Sequence, residues 1–138
     1  MYIKELEAEA FMEVVEAMEY RFNDTREAKE FGCAGVPTCY LNANHRFAKY
    51  YVLYENDIPV VTIILQRDGM LVFFIAKKIE KHITLIRMLK AFARETVDKV
   101  GPIATKTALW YTEAQRLNVL IGFKDYELYD EYGIYVLE

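Results

Sequence analysis

Between Phe47 and Ile75 three runs rich in β-branched and aromatic residues follow one another with little between them: Phe47 to Tyr54, Ile58 to Gln66 and Met70 to Ile75. The connections are Glu55-Asn56-Asp57 and Arg67-Asp68-Gly69. An Asp-Gly pair between apolar runs is a strong hairpin signal, because glycine supplies the positive φ that tight turns need. The segment therefore predicts three consecutive antiparallel strands, and such a sheet needs helices to cover it.

The flanking sequence supplies them. Tyr2 to Leu6 reads as a first strand. Phe11, Val15, Met18 and Phe22 then recur at helical spacing, while Glu7, Glu9, Glu13, Glu16 and Glu19 form an acidic outer face. Asn23-Asp24-Thr25 reads as the cap of a second short helix, Arg26 to Phe31, stopped by Gly32. Residues 32–46 hold glycine, proline and asparagine with no period and read as a loop, a length often used for function. After the strands, a helix is expected from about Glu80 to Lys99, with Leu85, Ile86, Leu89, Phe92, Ala93 and Val97 on one stripe and Gly101-Pro102 at its end. Ile103 to Tyr111 reads as a strand, and Phe123 to Tyr129 pairs with Gly133 to Leu137 across Asp130-Glu131-Tyr132.

At 138 residues this is one domain, and 54% hydrophobic with 28% charged residues is a globular composition. Eleven tyrosines against one tryptophan are read first as packing on half-buried sheet surfaces. A net charge of −4 gives no general attraction to nucleic acid. Cys33 and Cys39, with five residues between them and no second pair, do not match zinc spacing and read as two free thiols in a reduced cytosol. The acidic start Met1 to Glu7 is not a signal peptide, no apolar run is long enough to span a membrane, and a cytoplasmic location is expected. Phosphate-loop, nucleophile-elbow and zinc-protease motifs do not occur, and a Cys33 or Cys39 dyad with His45 has only sequence proximity behind it.

The run Trp110-Tyr111-Thr112-Glu113-Ala114-Gln115-Arg116-Leu117-Asn118-Val119-Leu120-Ile121-Gly122-Phe123 carries most of the functional information. It reads as a strand end, a short helix opened by a Thr112/Gln115 capping box, and a Gly-Phe exit into another strand. A short helix followed by Gly-Phe near a C-terminus resembles the last helix of the GNAT superfamily of acyl-CoA-dependent N-acyltransferases. The element order along nearly the whole chain is similar to that fold. The expectation is thus an α/β (α+β) GNAT-like domain, with a mixed, mostly antiparallel sheet of about seven strands flanked by about four helices.

What the resemblance implies for function can be placed on residues. Acyl-CoA would lie where the fourth and fifth strands splay apart, its pyrophosphate on backbone N–H groups at the start of the third helix. The cofactor-binding positions are then Phe74, Ile75, Ala76, Lys77, Lys78, Lys81, His82 and Ile83, with the lysines and His82 bringing positive charge. The backbone of the fourth strand would polarise the thioester carbonyl toward attack by an amine. Two departures stand out. The family turn reads Arg or Gln, two residues, Gly, one residue, Gly or Ala, but no glycine lies between Gly69 and Gly101. Many members also carry a tyrosine as general acid four residues before the glycine of Gly-Phe, and Asn118 stands there. Asparagine has no ionisable proton. Catalytic candidates are accordingly Tyr111, Asn118 and, as a base, His82, with Gln66 and Asp68 nearby; Glu55 and Asp57 read as turn residues. Asn42, Asn44, His45 and Arg46 form a candidate acceptor-recognition edge.

Two functions follow from this resemblance. One is acetyl transfer from acetyl-CoA to an amine, on a small molecule or a protein. The other is a catalytically degenerate GNAT-fold protein acting as a binding or structural component, resembling short, glycine-poor bacteriophage-encoded proteins, some packaged in the virion. The second goes with self-association, such as a homodimer, or a protein partner.

Overall fold

The computed structural model describes residues 1–37, 39, 48–78 and 82–138. They divide into two compact units, Met1–Arg67 with Val72–Glu80, and Asp68–Leu71 with Lys81–Glu138.

In the first unit, strand β1 (Tyr2–Leu6) leads into helix α1 (Ala8–Ala17) and helix α2 (Phe22–Glu30), followed by β2 (Lys49–Glu55), β3 (Ile58–Leu65) and β4 (Leu71–Ile75). The strands form one sheet in the order β1-β2-β3-β4, with β1 and β3 antiparallel to β2. Tyr2 sits opposite Tyr54 and their rings stack at 5.1 Å. The β2–β3 turn is tight enough to hold Asn56 and Asp57 at positive φ, a conformation these two residue types tolerate. Phe11 and Val15, one turn apart on α1, are fully buried against Tyr50, Val52, Ile64 and Phe74 of the sheet. Burying a phenylalanine contributes about 2–3 kcal/mol, so this contact fixes α1 on the sheet.

Several local readings change. Phe22 is 81% exposed and begins α2 rather than completing the stripe of α1, which ends at Ala17. Asn23, Asp24 and Thr25 lie inside α2, whose N-cap is Arg21, so they are not its cap. Asp24 is instead 3% exposed, because its carboxylate has a backbone partner elsewhere. Cys33 and Cys39 are joined in a disulfide and not free, which also removes them as nucleophiles.

The second unit holds helix α3 (His82–Val100), strand β5 (Ile103–Ala108), helix α4 (Thr112–Ile121), and strands β6 (Lys124–Leu128) and β7 (Tyr132–Leu137). Its sheet runs β5-β7-β6, all antiparallel. In the β5–β7 register Ile103, Thr105 and Thr107 face Leu137, Tyr135 and Gly133, and all six are buried. Leu85, Leu89, Ala93 and Val97 form the buried stripe of α3. Gly69 is required by its surroundings: at φ +88° a Cβ there would sit 3.0 Å from the Pro102 carbonyl oxygen. Among the described residues no helix is long and apolar enough to cross a membrane.

Candidate functional site

The end of β4 is where the resemblance would place an acyl group, and its outward groups from the Ile75 N–H to the Lys77 N–H are engaged. Ala76 donates its N–H to the Val60 carbonyl of β3 at 2.8 Å, so Ile75 and Lys77, one residue either side, direct theirs to the opposite edge. On that edge runs the connection between α1 and α2. Arg21 N–H donates to the Ile75 carbonyl at 3.1 Å, Lys77 N–H donates to the Glu19 carbonyl at 2.8 Å, and Tyr20 bridges Ala76 in antiparallel fashion. The remaining group, Ile75 N–H, donates to the Asp24 carboxylate at 2.6 Å. Asp24 also accepts from the Arg21 guanidinium at 2.9 Å. The segment 19–21, bridged at Tyr20, and a carboxylate therefore occupy the outward groups of β4 from the Ile75 N–H to the Lys77 N–H.

Tyr20 locks this arrangement. Its ring meets Phe74 edge-on at 6.2 Å, and its hydroxyl shares a hydrogen bond with Thr62 at 3.1 Å. Burial pushes the phenol far above its ordinary value, against the Thr62 bond, with the Asp24 charge adding to the rise.

The expected cofactor residues separate into two kinds. Phe74, Ile75 and Ala76 are buried core positions at 4%, 1% and 8% exposure. Lys77 and Lys78 are exposed. Lys81 lies outside the described residues, as do Asn42, Asn44, His45 and Arg46. His82 and Ile83 are exposed on the first turn of α3.

The catalytic candidates of the second unit are built into its core. Tyr111 is 2% exposed, is the N-cap residue of α4 and stacks on Trp110 at 5.1 Å. Asn118 is 1% exposed and donates to the Thr107 hydroxyl at 2.8 Å, while its carbonyl accepts the N–H groups of Gly122 and Phe123. Gly122, at φ +122°, closes α4 as the sequence suggests. The capping box does not form. The Gln115 amide reaches past Thr112 to the carbonyls of Ala108 and Leu109, at 3.1 and 2.6 Å, and so ties α4 to the end of β5. Asp68 accepts the Met70 N–H inside its own turn at 3.0 Å. Asp57 accepts from the Tyr2 hydroxyl at 3.0 Å.

Sequence reasoning missed Tyr20, Arg21 and Asp24. Nothing in the local pattern marks them, because the partner of Asp24 is a backbone amide 51 residues away.

No family model matches the sequence, and no curated protein matches it. Solved structures do match. A GNAT-family acetyltransferase from Bacillus anthracis is 13% identical at a TM-score of 0.68, covering 98% of this chain and 92% of its own. An N-acetyltransferase from Staphylococcus aureus is 16% identical at a TM-score of 0.65, with 98% and 95% covered. An aminoglycoside 6'-acetyltransferase of type Ii is 13% identical at a TM-score of 0.66, with 99% and 96% covered. At such identities the likeness is one of architecture, and by that measure the chain has the fold of the GNAT acetyltransferases.

Proposed function

We propose that this chain uses the GNAT fold as a binding or structural component and not as an acetyl-CoA-dependent N-acyltransferase. The observation that carries this reading is the saturated edge at Ile75 and Lys77. An acyl-CoA lying beside β4 needs outward backbone groups there. Freeing them breaks two backbone hydrogen bonds of about 1 kcal/mol each and a charge-assisted one of up to about 3 kcal/mol. The outward groups from the Ile75 N–H to the Lys77 N–H therefore offer an acyl-CoA no open partner. Asn118 fits this reading too, since its side-chain N–H is donated to Thr107 and an amide has no ionisable proton to give a thiolate. On this reading the chain would belong with short phage-encoded proteins, in the host cytoplasm or the virion.

Acetyl transfer to an amine is the second reading, favoured by the exposed pair Lys77 and Lys78 directly after β4. It requires the outward backbone of Phe73, the next position down the strand, to receive the acyl group.

Calorimetric titration of acetyl-CoA and CoA, with melting temperature alongside, separates the two. The first reading expects no heat and no shift at about 1 mM ligand. Micromolar binding with a raised Tm overturns it in favour of the second. In that case Lys77→Glu with Lys78→Glu weakens binding in a salt-dependent way.

A further inference from the structure

A groove of about 760 Å³ opens within the second unit, walled by the middle of α3, the end of α4, the start of β6 and the end of β7. Its volume falls in the range of small-molecule sites. The floor is apolar, formed by Ala91, Ile121, Val136 and Leu137. The rim is basic. Arg87, Lys90 and Arg94 recur at spacings of three and four on one face of α3, and Lys124 stands on β6.

Charge decides what such a groove prefers. Arg87, Lys90 and Lys124 have no ion pair with any described residue, and Arg94 shares its charge only with exposed Asp98 at 3.5 Å. Of the two carboxylates in the lining, Asp125 is engaged by the hydroxyl of Tyr135 and Glu138 is exposed. Four cations against the two carboxylates of Asp125 and Glu138, around an apolar floor in a chain of net charge −4, leave a local excess of positive charge. An apolar ligand would leave the cations unused, and a simple inorganic anion would leave the floor wet.

We infer that this groove binds an amphipathic anion, a long-chain carboxylate whose hydrocarbon body lies on Ile121 and Val136 and whose head meets Arg87 and Lys90. This goes beyond the reading of the chain as a binding component, and its test does not depend on it.

The probe is dodecanoate, below its micellar concentration, titrated into the full chain by calorimetry with backbone amide NMR shifts as the map. Dodecyltrimethylammonium and dodecanol serve as cationic and neutral controls. Expected are saturable dodecanoate binding and shifts confined to Arg87–Arg94, Ile121–Tyr126 and Val136–Glu138. Affinity should fall about tenfold or more in Arg87→Glu with Lys90→Glu, both exposed positions, since two attractive charges become repulsive. Ala91→Trp, also exposed, should fill the groove and abolish binding without touching a charge. The inference is overturned if dodecanoate fails to bind at about 1 mM, binds both variants as it binds the parent, or binds no better than the cationic control. Self-association of the parent that Ala91→Trp abolishes, without dodecanoate binding, would assign the groove to a second copy and also overturn it. Acetyl-CoA titrated into the same sample reports separately on the function proposed above.

Discussion

Asn118 donates its amide to the Thr107 hydroxyl at 2.8 Å, with both residues almost fully buried. The bond joins α4 to the strand beneath it. Asn118→Ala leaves Thr107 without that donor and opens a small void, and should destabilise the chain by about 1–3 kcal/mol in urea denaturation. Asn118→Tyr, which introduces the family's tyrosine, should destabilise at least as much, because a ring does not fit a site 1% exposed. A gain of acetyltransferase activity in that variant, with stability kept, would count against the structural role.

The Asp24 carboxylate should behave as a backbone clamp. Asp24→Ala strands the buried Ile75 N–H and should cost about 2–3 kcal/mol. Asp24→Asn keeps an acceptor oxygen and should lose less. Equal losses in the two variants, measured by chemical denaturation, would mean that the charge and its Arg21 partner matter and the Ile75 bond does not.

The Cys33–Cys39 bridge closes a loop with a sequence separation of six. Cross-linking so short a loop removes little unfolded-state entropy, about 2 kcal/mol. The Cys33→Ser with Cys39→Ser protein, and the parent in reducing agent, should therefore both fold and both unfold earlier by that amount. Thermal and urea unfolding in matched buffers read this directly, and an unchanged midpoint on reduction would show that the bridge does not form in solution.

Two tyrosines should set an alkaline limit. Tyr51 is pushed up to about 12, first by burial and then by the charge of Glu5 and its hydrogen bond. Tyr20 is pushed higher still by burial. Folding raises both above the ordinary value of 10, so their contribution is complete below about pH 10 and is lost as pH climbs through the folded values. Phenolate absorbance should show these two ionising late, with stability falling above about pH 10 and the fall reduced in Tyr51→Phe. Simultaneous ionisation of every tyrosine near 10 without loss of stability would refute it.

What could be read from the sequence followed what is local. The strands from Ile58 and Leu71, the stripe of Leu85, Leu89, Ala93 and Val97, and the Gly122 stop all rest on spacing within one element, and they appear where expected. Phe22 and Asp24 were misread because a helical stripe and an N-cap look identical to a chain that has broken between two helices at Tyr20. Gln115 was misread for the same reason, since its side-chain N–H groups donate to the carbonyls of Ala108 and Leu109, at and just past the end of β5, and the side chain does not turn back on its own helix. The cysteines matched no spacing rule, and only the turn after α2 brings their Cα atoms to 5.3 Å. The outer edge at Ile75 was the least legible. Its decisive bonds join residues about fifty positions apart, a distance over which sequence pattern carries no geometric signal.

The segment Glu19, Tyr20 and Arg21 belongs to the same chain as the edge to which it is hydrogen-bonded. Tethering gives a short segment an effective concentration in the millimolar range or above. Any extended ligand arriving from solution at that edge must displace a competitor that never diffuses away. At Ile75 the occupancy of that competitor is set by the stability of the fold and not by any concentration in solution.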